Sequence, residues 1–408
     1  MNTDRAGSTA ESVSEDQWRT PPDFSLVLGG PLFQLLRRAH LADDALMLAR
    51  RRVVVISLIA WLPLLAFAAL AGVLLGGDVA VPFLMDVDVH VKFLVVMPLL
   101  IAAELVVHQR MRTLAASFRE RNLVPEAAAA RLGAAVQSAY RLRNSLSAEV
   151  LLIAVVYVIG VTIVWRQYMT LEAATWYATP TADGSRLTFA GIWYGYVSLP
   201  LFQFLLCRWY YRIFIWARLL WQVSRIKLDL VPTHPDRVGG LGFLATTSYA
   251  FIPLLMAHGA LFAGNFANQI FHAGASLTQF RLEILLLVVF MVILVVGPLL
   301  VFAPQLAQAR RTGLREYGTL AQRYVREFDA KWVRGNGGAD EPILGTGDIQ
   351  SLADLGNSFS IIQEMRAVPM TKRAMLQLGA ATLVPIVPLL LTLMPLEELI
   401  KKLFGILF

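Results

Sequence analysis

The chain has 408 residues, 57% of them hydrophobic and 16% charged, with a mean hydropathy of +0.58. Soluble domains carry about a quarter charged residues, so an ordinary soluble fold is excluded. The single Cys207 rules out an intramolecular disulfide or a cysteine-based zinc cluster, and the net charge of +7 reads first as a topology signal rather than a nucleic-acid surface.

Residues 1–23 are polar, contain Asp4, Glu11, Glu15 and Asp16, and lack the apolar core of a secretory signal. They are expected to form a tail that joins a basic juxtamembrane helix, residues 1–52 together making the N-terminal unit. Apolar blocks follow near 53–76, 90–108, 149–166, 189–207, 248–267, 283–303 and 374–395. A helix crosses a hydrocarbon core of about 30 Å in roughly 20 residues. The blocks have that length and lack the alternation of barrel strands. The expected fold is therefore all-α and polytopic, with about seven transmembrane helices and long cytoplasmic helical segments. The six-span core covers 53–303 with helical loops at 109–148 and 208–247, a cytoplasmic helical segment covers 304–373, and a last span with an amphipathic tail covers 374–408.

Lys and Arg set the orientation. Thirty lie before the first span or in 109–148, 208–247 and 304–373, against six on the other side. That split predicts a cytoplasmic N-terminus, with the basic face in contact with anionic lipids. The bilayer and those lipids are the expected partners; a homo-oligomer stays open, nucleic acid is not expected, and no cofactor motif is present.

Within 208–247, Trp209, Ile213, Trp216, Leu220 and Val223 share one helical face. That face either lies along the inner leaflet beside its arginines or packs inside a cytoplasmic layer. Downstream, Arg310 to Arg334 reads as a charged helix and GNGGADEPILGTG as a loop. Asp348 is placed to cap an amphipathic helix carrying Leu352, Leu355, Phe359, Ile362 and Met365, which Pro369 ends.

The stretch VPTHPDRVGGLGFL, Val231 to Leu244, lacks the Gly-Lys-Ser/Thr of a phosphate loop and the βαβ setting of a dinucleotide fingerprint. His234 and Asp236 alone are too few for a metal site. Pro235 bars a helix, Asp236 can accept backbone N–H bonds, and Gly239, Gly240 and Gly242 allow tight turning. The stretch reads as a cytoplasmic elbow, with a gating hinge or anion nest as the alternatives. Together with IQSLADLGNSFSIIQEMRAVP, Ile349 to Pro369, it resembles uncharacterised bacterial inner-membrane proteins of the same span layout. The resemblance implies that layout and carries no activity.

Ionisable groups at membrane depth are costly and serve as functional candidates. Glu104 and His108 are four apart in IAAELVVH and share a face, as a proton relay, part of a cation site, or one half of a Glu–Arg pair. His258 stands mid-span, followed by Asn265 and Asn268, either lining a pathway or bonded within the bundle. Asp86, Asp88 and His90 alternate in MDVDVHV, so extended backbone would align them as an outer cation entrance, with a hydrated turn as the alternative. Pro63, Pro98, Pro200, Pro253, Pro298, Pro385 and Pro388 each free a carbonyl inside a span. A conduit, channel or transporter, leads; a scaffold or regulator whose cytoplasmic helices bind a partner or lipid is the rival. No hydrolase or metalloprotease motif supports an enzyme.

Overall fold

The computed structural model describes residues 24–38, 40, 48–165, 174–181, 184–335 and 345–393. The expected tails, 1–23 and 394–408, and most of the GNGGADEPILGTG loop lie outside them. The helices are α1 (Pro31–Arg38), α2 (Ala49–Leu70), α3 (Val87–Glu120), α4 (Glu126–Arg143), α5 (Leu146–Thr162), α6 (Phe189–Val223), α7 (Phe243–Ala273), α8 (Leu277–Val333), α9 (Gly347–Gln363) and α10 (Lys372–Thr392). Six of these are long and apolar enough to cross a membrane, and a seventh crossing results if α4 and α5, bent by 47° at their junction, count as one. The protein is a multi-pass α-helical membrane protein. In the second loop on the far side it adds a two-stranded antiparallel hairpin, β1 (Ala178–Thr181) with β2 (Gly184–Leu187), Ala178 opposite Leu187.

The breaks between helices have local causes. α4 ends at Arg143, and Ser145 restarts the chain as an N-cap, its Oγ accepting the Ala148 N–H at 3.3 Å. Two of the span prolines free carbonyls that neighbouring helices satisfy. The Ile59 carbonyl, orphaned by Pro63, accepts from Trp193 Nε1 at 3.2 Å, and the Tyr196 carbonyl, orphaned by Pro200, accepts from the Tyr157 hydroxyl at 3.3 Å. Wide π turns at Lys92–Val96 and Tyr194–Ser198 lead into Pro98 and Pro200. Pro63 and Pro200 therefore shape α2 and α6 without breaking them.

α7 forms the centre of the bundle, packed on α3 and α10. Small residues set the closeness of that packing: a Cβ on Gly259 would overlap the Thr382 carbonyl of α10. α2 and the first half of α8 carry the outer apolar surface, with Val54, Leu58, Leu62, Leu285, Val289 and Ile293 exposed, as suits a lipid face. α8 runs 57 residues, roughly 85 Å, far more than a bilayer core, so its charged second half projects beyond the spans. There α9 lies on it, Phe359 above Gly318.

Two points about the helices are decided here. Of the two readings of the Trp209 face, packing against neighbouring helices holds and the leaflet surface does not: α6 runs unbroken to Val223, and Trp209, Ile213, Trp216, Leu220 and Val223 are all buried. Asp348 does not cap α9. It sits in the first turn and takes Lys331 Nζ at 2.9 Å and Trp332 Nε1 at 3.0 Å, tying α9 to the end of α8.

Gly259→Val should sharply reduce the yield of monodisperse protein by separating α10 from α7, whereas Gly76→Val, with open space around it, should elute from a sizing column like the wild type. Equal behaviour of the two variants would place α10 elsewhere.

Candidate functional site

Glu104 is 4% exposed, on the face of α3 turned toward α2 and α6. It contacts Arg52 of α2, lies 2.7 Å from Arg212 Nη2 and 3.7 Å from Arg208 Nη1 of α6. Arg208 also lies 3.8 Å from Glu149 in the first turn of α5, and the other Glu149 oxygen accepts the Leu32 N–H of α1 at 2.8 Å. Five buried charged side chains from α2, α3, α5 and α6 thus form one network. Its three arginines exceed its two glutamates by one positive charge. Arg52 is 2% exposed, and its Nε has no hydrogen-bond partner. Buried charges of this kind stand only where partners compensate them, and an unmatched donor favours an incoming acceptor.

Beside the network is a cavity of about 550 Å³, within the range of small-molecule sites. Of the described residues that line it, Arg52, Glu104 and Arg208 are the charged ones. The others include Ile56, Ile101, Val156, Pro200 and Phe204. Charge is therefore concentrated at one end of an apolar space.

No family model, curated protein or solved structure matches this chain. Its chemistry has to be read from its own side chains.

The sequence candidates are dispersed over the molecule. His108 does not join Glu104; its Nδ1 lies 3.0 Å from the Ser25 hydroxyl while Glu104 faces the arginines. His258 is sealed in the bundle. Its Nδ1 is 2.8 Å from the Leu254 carbonyl, which can only accept, so Nδ1 carries the proton and Nε2 accepts from the Tyr210 hydroxyl at 2.8 Å. The 550 Å³ cavity is not lined by His258. Asn265 is exposed and takes Gln269 Nε2 at 2.7 Å, whereas Asn268 turns inward, so the two do not share a path.

At the hairpin end, MDVDVHV is not extended. Asp86 caps a helix through the Val89 N–H at 3.2 Å and also holds Trp176 Nε1 at 2.9 Å and Asn268 Nδ2 at 2.7 Å. In a helix, positions two apart point in different directions. Asp88 pairs with Lys92 at 2.8 Å, and His90 Nδ1 accepts from Trp61 Nε1 at 2.9 Å. The alignment expected of a cation entrance is absent, and among the described residues no group of three His, Cys, Asp or Glu is placed to hold a metal ion.

In the elbow, Asp236 gathers the backbone. Its Oδ1 accepts from Val238 at 2.9 Å and Gly240 at 3.2 Å, and its Oδ2 from Gly242 at 2.8 Å. Gly239 and Gly240 take positive φ of 63° and 100°. The N–H groups that would make an anion nest point at the chain's own carboxylate. His234 Nδ1 lies 2.9 Å from Asp236 Oδ1, and Pro235 sits between them in the turn. Arg366, just past α9, donates to the Asp236 carbonyl at 2.6 Å from its guanidinium and to the Arg237 carbonyl at 2.9 Å from its backbone. The elbow from Val231 to Leu244 and the stretch from Ile349 to Pro369 are thus bonded to each other.

Sequence reasoning found Glu104 but not Arg52, Arg208, Arg212 or Glu149. Arg208 and Arg212 were legible as an i, i+4 pair beside the Trp209 face, in line with buried Ile215 and Leu219. Counting them as loop charges for topology hid that position.

Replacing Glu104 by Gln should cost about 3 to 5 kcal/mol, the usual effect of orphaning a buried charge, while Glu104→Gln with Arg212→Gln should lose less than the sum of the single changes. Thermal unfolding in detergent checks this, and strictly additive losses would dissolve the network as a unit.

Burial alone would raise the Asp236 carboxyl, but the N–H groups of Val238, Gly242 and Gly240 outweigh it and hold it below the usual carboxylate range. A depressed folded value stabilises the elbow above the unfolded pKa of about 3.9 and loses that stabilisation as pH falls through the lower folded value. Intrinsic-rate-corrected hydrogen exchange at Val238 to Gly242 should therefore be flat above about pH 4 and accelerate below it. In Asp236→Asn it should be fast throughout; a pH-independent wild type would remove the carboxylate from this role.

Proposed function

We propose that the protein is a transporter of the bacterial inner membrane, N-terminus cytoplasmic, whose substrate is anionic and meets the Arg52–Glu104–Arg208–Arg212–Glu149 network. The observation that carries this reading is convergence. A scaffold has no need to bring charged side chains from four spans to one point, and these five are assembled there with one positive charge in excess. The orientation rests on the Lys and Arg outside the network, twenty-seven against six. The transport reading shifts its centre away from His258, whose two ring nitrogens are both engaged, and toward the network. Two charged layers, Asp88–Lys92 near the hairpin and Glu104 with its arginines, are separated on α3 by buried Phe93, Val96, Met97 and Leu100. That arrangement suits an occluded conformation, which opening of the α2–α6 side would convert to a path.

Proteoliposomes containing the wild type should pass at least one anion among chloride, phosphate, acetate and lactate, or an NBD-labelled acidic lipid, and Glu104→Gln should lower that rate by tenfold or more, in line with loss of a buried charge partner. In a Cys207→Ala background, Ser276→Cys should react with impermeant thiol reagents outside intact cells and Gly356→Cys should not. No movement of any of these probes by well-folded protein would hand the function to the scaffold reading, and labelling of Gly356→Cys would reverse the orientation.

A further inference from the structure

Building on the reading of the network as a substrate site, we propose that the 550 Å³ cavity holds one acyl chain of an acidic phospholipid drawn from the adjacent leaflet, with the head group at Arg52 and Arg208.

Depth supports this occupant. Arg208 lies 19 residues along α6 from Phe189, about 28 Å, and Glu104 lies 17 residues along α3 from Val87, about 26 Å; taking those helix starts as one boundary of a hydrocarbon core about 30 Å thick puts both near the other. Arg52 and Glu149 are each three residues into their helices, at the same level. On that placement the network stands at the level of lipid head groups. From there the lining of α6 runs from Arg208 to Tyr196, twelve residues or about 18 Å. Half of the core, the reach of one leaflet's chains, is about 15 Å.

The mouth faces lipid. Ile59 of α2, Ile153 and Tyr157 of α5 and Tyr196 of α6 line the cavity and are 47–48% exposed on the outer surface of the spans. Tyr157 bonds the carbonyl that Pro200 frees on Tyr196, so the same contact that repairs the helix sets one edge of this mouth. A small hydrophilic anion would leave most of the wall facing nothing it can bind, whereas an acyl chain matches the wall and an acidic head matches the excess positive charge and the partnerless Arg52 Nε.

The full chain in detergent would be titrated with phosphatidylglycerol, with phosphatidylcholine of the same chains, and with inorganic phosphate, reading thermal stabilisation and native mass spectra. Phosphatidylglycerol should bind at one molecule per chain and stabilise; the other two should not. Val197→Trp fills the cavity without touching a charge, and it should keep the lipid-free melting temperature while weakening phosphatidylglycerol about tenfold or more. Arg52→Gln leaves two arginines against two glutamates and should erase the preference for the acidic lipid. Equal binding of the two lipids, equal stabilisation by phosphate alone, or wild-type binding by Val197→Trp would overturn the proposal. Binding of phosphatidylglycerol without its translocation supports this site while removing the transport reading. Flux of a small anion without lipid binding does the reverse.

Discussion

The bundle turns on the Glu104 carboxylate. Three arginines on two other helices lie close to it, with Arg212 at 2.7 Å, and none of them could be buried without such a partner. Through Arg208 the same charge system reaches Glu149 and, from there, the backbone of Leu32 at the start of the short helix that underlies the spans. α1, α2, α3, α5 and α6 are therefore fixed relative to one another by electrostatics as well as by apolar packing. Replacing such a network with apolar side chains of equal volume is often neutral or stabilising in proteins generally. Stability alone thus gives little reason for the five charges, which is why they are read as a site.

A second set of polar contacts fixes the other parts of the molecule. At the hairpin end Asp86 binds the loop through Trp176 and α7 through Asn268. At the opposite end Asp236 folds the elbow around its own oxygens, and Arg366 fastens the elbow to the end of α9. The projecting α8–α9 pair is in this way connected to the turn that leads into α7, and Gly313 of α8 is close enough to Pro232 that a Cβ there would meet it at 2.7 Å. A movement of the outer helices would be felt at the central span.

Much of the architecture was legible because membrane spans have a length that composition exposes. The apolar blocks, the continuation of charged helix after Arg310 and the turn at Gly239–Gly240 all follow from rules that operate over a few residues. Even the least regular block, which contains Pro385 and Pro388, is long and apolar enough to cross. The site was less legible because its members are 52 residues apart at the first step, from Arg52 to Glu104, and more than a hundred at the next. Periodicity places a residue on a face but does not say which face meets which. The cation-entrance alternative for MDVDVHV fails for a related reason: alternation implies alignment only in a strand, and the capping carboxylate of Asp86 turns the stretch into a helix. His258 could be seen as an intramembrane polar group, but its partner Tyr210 is 48 residues away, and nothing local marked it as satisfied.

The most direct test of the account is an electron cryomicroscopy map of the wild-type chain in nanodiscs containing phosphatidylglycerol. The expected result is elongated density between α2, α5 and α6 that enters past Tyr157 and Tyr196 and ends at the Arg52 and Arg208 guanidiniums, with Glu104 still between the arginines. A closed gap at that position, with Arg52 turned out of the bundle and Glu104 in contact with neither helix, would contradict it.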